Sequence, residues 1–447
     1  MMLGFRTSRK WIYEQKVTGP WQRLRQGTFA VLHLILFATP WLMVNGNPAL
    51  LIDLPGRTLY AFGAIFTAAD TIFLLLLLLF LSFALFFFTS LFGRLWCGFA
   101  CPQTVFLDTW IRPLEEWIEG DWVHRRKRDE AGWGLDRAGR KALKWGAFLA
   151  IAFVIAMSFG SYFAGARELW SGRGSGLEYA IVGIFTALWF LDLAWFREQF
   201  CNYLCPYARF QSALTDGETL MVQYSVPRGE PRGGADAKEA GRCIECNKCV
   251  FVCPQGIDIR DGFQLECIAC ARCIDACGIV MDKLGHGNLI EWGSMTELQE
   301  RKPRRVRPRT LVYGGLLTGI AAATVLLMGA RAPFDAAVQR APGSLFTLDA
   351  DGFVRNTYLL RITNKEASAE PVPFHIQVGG LPDAQILVQD ISLATTESRT
   401  VPLIIRVRAS PDLPRTIPFE VTVSSPTRHV AIDATFKTEG HIGTDSK

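Results

Sequence analysis

The stretch Cys243-Ile-Glu-Cys246-Asn-Lys-Cys249-Val-Phe-Val-Cys253-Pro254 is followed shortly by Cys267-Ile-Ala-Cys270-Ala-Arg-Cys273-Ile-Asp-Ala-Cys277-Gly278. The first has the C-x2-C-x2-C-x3-C-P spacing of bacterial ferredoxins, and the second repeats it. Three thiolates spaced by two residues wrap one cuboidal cluster from a tight loop. The fourth reaches across to the neighbouring cluster. This crossed pattern assigns Cys243, Cys246, Cys249 and Cys277 to one 4Fe-4S cluster, and Cys267, Cys270, Cys273 and Cys253 to the other. Gly278 stands where the second motif would carry its proline, a change expected to alter the local turn or the exposure of one cluster. Four thiolates also suit zinc, but zinc ribbons usually separate two C-x-x-C pairs by a longer insert. One-electron transfer is the chemistry this module implies.

Outward from the module the sequence becomes strongly apolar. Half of the 447 residues are hydrophobic, and the net charge of +5 is delivered in basic blocks between apolar runs. That pattern indicates a membrane surface and no nucleic-acid partner. All twelve cysteines lie between residues 97 and 277 in short fixed spacings, which indicates ligation in a reducing compartment more than a disulfide framework. A helix needs about 20 mostly apolar residues to cross the hydrocarbon core. Thr28–Ile52 (its end disturbed by Pro40 and Pro48), Thr71–Gly93, Trp145–Ala166 and Thr310–Ala330 meet that demand, and Tyr179–Phe196, interrupted by Asp192, makes a fifth expected span. The N-terminal run lacks a small-x-small cleavage pattern and is expected to be retained.

Lysine and arginine set the orientation, because short cytoplasmic loops retain positive charge. Arg6, Arg9, Lys10, Lys16, Arg23 and Arg25 precede the first run, whereas only Arg57 follows it. Arg125-Arg126-Lys127-Arg128 with Arg137, Arg140, Lys141 and Lys144 precede the third, and Arg301-Lys302-Pro303-Arg304-Arg305-Val306-Arg307 precedes the last. The expected arrangement is a bacterial inner-membrane protein with its N-terminus and ferredoxin module cytoplasmic and its C-terminal domain periplasmic. The corresponding domains are a cytoplasmic segment (1–27), a membrane domain of four spans (28–235), a cytoplasmic ferredoxin-type module (236–300), a basic linker with a fifth span (301–330) and a periplasmic domain (331–447). The fold class is multi-domain: an α-helical polytopic membrane domain, a ferredoxin-like double-cluster insert and a C-terminal all-β immunoglobulin-like sandwich. The sandwich is read from short alternating segments such as Phe374-His-Ile-Gln-Val and Phe419-Glu-Val-Thr-Val, separated by turn residues. Its histidines, His375, His429 and His441, are scattered, so it is expected to dock partners and hold no copper site.

A second cysteine system lies at the membrane face. Trp96-Cys97-Gly-Phe-Ala-Cys101-Pro102 and Phe200-Cys201-Asn-Tyr-Leu-Cys205-Pro206 align residue by residue, with Phe106 matching Phe210, as in a duplicated two-span unit. If the motifs are helical, spacing of i and i+4 puts each pair of sulfurs on one face. Such thiols favour copper(I), zinc or an iron–sulfur cluster, or cycle through a disulfide, and the spacing does not choose among these. His33 is an ionisable residue in the first apolar run, a position that is functional by default, yet no histidine in another span stands ready to pair with it on a haem.

With these motifs in this order, and with Leu51-Ile-Asp53-Leu-Pro55-Gly-Arg57 and Val280-Met-Asp282-Lys283-Leu-Gly285, the chain resembles the CcoG/FixG/RdxA family of cytochrome c oxidase accessory proteins. The resemblance implies an oxidoreductase, a cupric reductase that turns copper(II) into copper(I) for assembly of cbb-type cytochrome c oxidase. It implies copper as substrate or transient ligand at Cys97, Cys101, Cys201 and Cys205. The implied partners are oxidase assembly factors or a copper transporter or chaperone, an electron donor that is a soluble reductant or a quinol, and a second copy of the chain in a homo-oligomer. Two other readings remain open: a quinol-oxidising membrane ferredoxin serving another redox partner, and a non-enzymatic, redox-sensing assembly scaffold.

Overall fold

The computed structural model describes residues 11–132, 134–233, 241–298, 306–366, 368, 370–410 and 413–438. Arg6, Arg9, Lys10, the run 301–305 and His441 lie outside the described residues. Two compact units form, one from residues 1–39 and 76–322 and the other from 40–75 and 323–447.

Among the described residues, four helices are long and apolar enough to cross a membrane: Thr71–Phe92, Leu135–Ala164, Gly176–Phe196 and Pro308–Ala330. The third starts at Ser175, whose side chain and that of Glu178 form a reciprocal cap, and passes into a π-helical turn at Asp192. The expected first span is different. Its helix runs Pro20–Ala38 and ends in a 3-10 turn, so Thr28–Ile52 is not one helix. Two local features stop it. Pro40 cannot supply a helical N–H, and Asn45-Gly46 adopt positive φ in a two-residue hairpin turn between Met43–Val44 and Asn47–Pro48. Leu50–Asp53, Thr58–Ala61 and Ala64–Phe66 then make a small antiparallel sheet, in which Asp53 accepts from the Gly56 N–H at 3.0 Å.

That sheet belongs to the same unit as the C-terminal sandwich. Buried Asp70 accepts from Thr67 N–H (2.9 Å), Arg331 Nη2 (2.7 Å) and Lys365 Nζ (3.0 Å), and Lys365 also pairs with Asp335 at 2.7 Å. In the sandwich, one sheet has the order Gln385–Leu387, Ser398–Arg408, Phe353–Asn364, Phe334–Arg340. The other has the order Ile391–Leu393, Val372–Gly379, Thr416–Ser424, His429–Lys437. Alternate residues point inward, as a pleated strand requires. Phe334, Leu360, Ile362, Phe374, Leu403, Ile405, Val421 and Phe436 form the buried core between the layers. The expected all-β immunoglobulin-like domain is present.

The ferredoxin-type module reaches further back than residue 236. Met221–Tyr224 pairs antiparallel with Ile290–Gly293, placing Val222 opposite Trp292. Val222, Tyr224, Leu289 and Ile290 are buried together with Cys243, Cys249 and Ile274, so this short sheet closes the module's core.

Candidate functional site

The two C-x2-C-x2-C loops share a backbone signature. Glu245 and Asn247 flank Cys246, Ala269 and Ala271 flank Cys270, and all four have φ between 53° and 60°. A non-glycine residue there costs about 1 kcal/mol or more. Alternation of left-handed and right-handed residues turns successive N–H groups into one concavity, a nest of the kind that holds iron–sulfur centres. Beyond the loops the copies diverge. After Cys253 the chain turns at Pro254, but Gly278 continues a helix running Arg272–Lys283. Proline at 278 would forfeit a helical N–H, so glycine here extends the helix.

Proximity sorts the eight thiols. Cys249 senses Cys277 and Cys246, and Cys277 senses Cys246 and Cys243. Cys267 senses Cys253 and Cys270, while Cys273 senses Cys270, Cys267 and Cys253, then Cys249 of the other set. A small pocket is lined by Cys253, Cys267, Cys270 and Cys273 together with Cys249. The residues present therefore fit two thiolate-held clusters in the crossed arrangement, with Cys249 beside Cys273 where the two sets meet. Cys246 is exposed, whereas Cys249 and Cys270 are buried.

The membrane-face pairs are not carried on continuous helices. Cys97 lies in the short helix Leu95–Phe99, but Cys101 is extended (φ −64°, ψ 127°) and caps the next helix, Pro102–Phe106. Cys201 lies in the π-turn Phe200–Leu204, and Cys205 (φ −72°, ψ 111°) caps Pro206–Leu214. Proline is responsible in both copies. It drives the preceding residue out of the helical region and suits the first turn of the helix that follows. Four residues before each first cysteine the chain also takes the same left-handed step, at Gly93 (φ 54°) and Arg197 (φ 52°).

Side chains cross between the copies. Gln103 Nε2 donates to Arg197 O at 3.0 Å and to Asp192 Oδ1 at 3.2 Å, and Tyr207 and Thr89 share a hydrogen bond of 3.1 Å. Cys97 Sγ donates to Gln211 Oε1 at 3.3 Å. The thiols gather: Cys97 senses Cys101 and Cys205, and Cys201 senses Cys101, Cys97 and Cys205. Burial, reinforced by the neighbouring Cys101, pushes the Cys97 thiol up to about 12 against the pull of Arg94, and burial raises Cys101 and Cys201 as well.

The two cysteine systems touch. Cys97 is buried against Ile268 and Cys270, with Tyr207 packed alongside. A Cβ on Gly98 would come within 2.7 Å of Ile268 O and 2.9 Å of Cys270 Cα, so glycine is what allows this approach. Arg94 donates to Leu265 O in the ferredoxin module and to Ala208 O after the second pair, and Arg25 Nε donates to Gly98 O at 2.9 Å. Sequence reasoning missed these fasteners. A signal existed in Arg94, a charged residue three positions before Cys97 at the end of an apolar span.

It also missed the strap Trp11–Gly19. Gln15 N donates to Phe251 O at 2.7 Å, and buried Glu14 pairs with Arg112 at 3.0 Å and Arg272 at 2.5 Å. The strap thus bridges the module and the loop after Cys101. His33, in turn, has both ring nitrogens engaged, Nδ1 with Phe29 O and Nε2 with Trp110 Nε1, each at 2.7 Å.

Comparison with known proteins agrees with this architecture. Residues 196–295 match a 4Fe-4S dicluster domain, 73–128 a 4Fe-4S binding domain, and 324–439 the IG-like fold at the C-terminus of FixG. The chain is 36% identical to RdxA of Cereibacter sphaeroides over 83% of its length and 82% of that protein's. It is 33% identical to the nitrogen fixation protein FixG of Rhizobium meliloti over 94% of its length and 87% of that protein's. RdxB of Cereibacter sphaeroides is 37% identical over 80% of each chain. With a 4Fe-4S dicluster domain, apolar helices and an immunoglobulin-like C-terminal domain, the chain belongs to the FixG/RdxA family of iron–sulfur electron-transport proteins.

Proposed function

We propose that this protein is a membrane-bound copper reductase, converting copper(II) to copper(I) at Cys97, Cys101, Cys201 and Cys205 in support of cbb-type oxidase assembly. The observation that carries this reading is the packing of Cys97 on Ile268 and Cys270, which joins the thiol site to a cluster-binding loop without an intervening layer. Bound at the two cysteine sets, the clusters supply single electrons, the number that copper(II) consumes.

The chain's own residues prepare the site. Gly98 allows the close approach, Arg94 fastens the motif to the module, and Gln211 orients the Cys97 sulfur. Burial raises the Cys97, Cys101 and Cys201 thiols, so each of these sulfurs that takes copper(I) gives up a proton. Soft sulfur favours the reduced metal.

Orientation belongs to the same proposal: the bacterial inner membrane, with the cluster module cytoplasmic and the sandwich periplasmic. The charge pattern places both residues 40–75 and the C-terminal domain outside, and these two segments share one compact unit. The sandwich is then the part that meets periplasmic partners. The test is anaerobic reduction of copper(II) by purified protein that has been reduced with dithionite and freed of excess reductant, read with a copper(I) chelator. Wild-type protein is expected to yield copper(I) and the Cys97→Ser/Cys101→Ser variant none. Equal yields from both would refute the assignment.

A further inference from the structure

A cavity of about 860 Å³ lies between the strap, the helix Pro20–Ala38 and the segment 108–125, and nothing described so far uses it. Its lining is mixed. Phe29, Ala30, His33, Trp110 and Pro113 are apolar or aromatic, whereas Glu14, Arg23, Arg25, Asp108 and Glu116 are charged. His33 packs against Phe37, Phe106 and Trp110 at ring separations of 5.7–5.9 Å. A cavity lined by both charged and aromatic side chains suits an amphipathic ligand with a flat headgroup. It is also larger than a headgroup alone requires, leaving room for part of an apolar tail.

Arg272 sits in the wall of this cavity. It lies between the ligands Cys270 and Cys273, and its guanidinium senses the Cys270 sulfur. The ligand is thereby brought beside a redox centre. We infer that the cavity binds a membrane quinol and is where electrons enter the protein. This inference deepens the reductase reading by naming its donor class, and it rests on the same pair of iron–sulfur sites.

The electron count agrees. A quinol gives two electrons and two protons, and becomes a quinone; two 4Fe-4S clusters take one electron each, and copper(II) withdraws them singly. A proton acceptor stands in the wall: the Glu116 carboxylate, half-exposed beside Lys16, leads to water. Arg94 lies near Cys267, and positive charge beside a cluster stabilises its reduced form.

The test uses the full-length holoprotein in detergent with decyl-ubiquinone and its quinol. Titration of the quinone is expected to quench tryptophan fluorescence to saturation at about one quinone per chain. Ala30→Trp, which fills the cavity, and His33→Phe, which keeps its aromatic bulk, are expected to weaken binding at least tenfold and to slow quinol-driven bleaching near 400 nm as much. Bleaching by dithionite checks that the clusters are intact in each variant. Binding that Ala30→Trp leaves at wild-type strength, quinone displaced only by added phospholipid, or no bleaching by quinol where dithionite bleaches fully would each overturn the inference. Copper(II) reduction by dithionite-reduced protein tests the reductase reading separately, since it needs no quinol.

Discussion

The eight cysteines of the ferredoxin-type module and the four at the membrane face are the same chemical group in two kinds of setting. In the module, left-handed residues on either side of Cys246 and Cys270 shape the two loops, and Cys253, Cys267, Cys270 and Cys273 line one small pocket. At the membrane face, each pair straddles a proline break, with one sulfur inside a helical turn and the other at the cap of the next helix. On the proposed reading the first setting holds the clusters and the second takes up copper, and the packing of Cys97 on Ile268 and Cys270 joins the two.

The largest way to break this comparison is to remove the second setting. Cys97→Ser/Cys101→Ser is expected to lower copper(II) reduction by more than about a hundredfold, the scale of losing an essential group, while absorbance near 400 nm stays at its wild-type value. Loss of that absorbance would mean that these thiols hold part of the cluster complement. In the reverse experiment, Cys273→Ser is expected to remove about half of the absorbance, since only one of two clusters loses a ligand. Removal of all of it would show that the two sets do not fold independently.

A smaller change separates the two settings while sparing both. Gly98→Ala forces the loop Cys267–Cys270 away from Cys97, and a shift of about 1 Å is expected to slow copper reduction roughly tenfold to a hundredfold with both sets of cysteines present. An unaltered rate would place electron delivery elsewhere. Acidity sharpens the contrast further. Because burial holds the Cys97 thiol at about 12, its proton leaves only when metal binds, so copper(I) affinity should rise with pH through the neutral range. The slope is about tenfold per pH unit for each proton released, and a flat profile in a competition titration would show that the sulfurs are already thiolates.

The smallest expected redox effect belongs to the other unit. Asp70→Asn leaves Arg331 and Lys365 short of a buried partner and should cost about 3 kcal/mol of that unit's stability, measurable by denaturant unfolding. Copper reduction by the purified protein should not change. Loss of reduction at a temperature where the fold persists would contradict the separation of roles.

Much of this was legible in the sequence, for definable reasons. The 4Fe-4S dicluster domain was legible because cluster ligation depends on short, fixed cysteine spacings. The four long apolar helices and the alternating strands of the sandwich were legible from periodicity. Local breaks were harder. Pro40 and Asn45-Gly46 end the first helix early inside an apolar run, and hydropathy alone does not register a hairpin there. Met221–Tyr224 was assigned to the membrane domain because its partner strand lies some seventy residues later, at Ile290–Gly293. The contact between the cysteine systems was the least accessible feature. It depends on Gly98, Arg94 and the strap residue Glu14, each ordinary in isolation and significant only once long-range packing brings them together.

The account is tested most directly by a single turnover. Protein reduced with dithionite and freed of excess reductant is mixed anaerobically with copper(II) and a copper(I) chelator, and absorbance near 400 nm is followed together with copper(I). Wild-type protein should reoxidise as copper(I) appears, one copper for each electron lost, and Cys97→Ser/Cys101→Ser should stay reduced. Reoxidation of that variant at the wild-type rate would contradict a path through the membrane-face thiols.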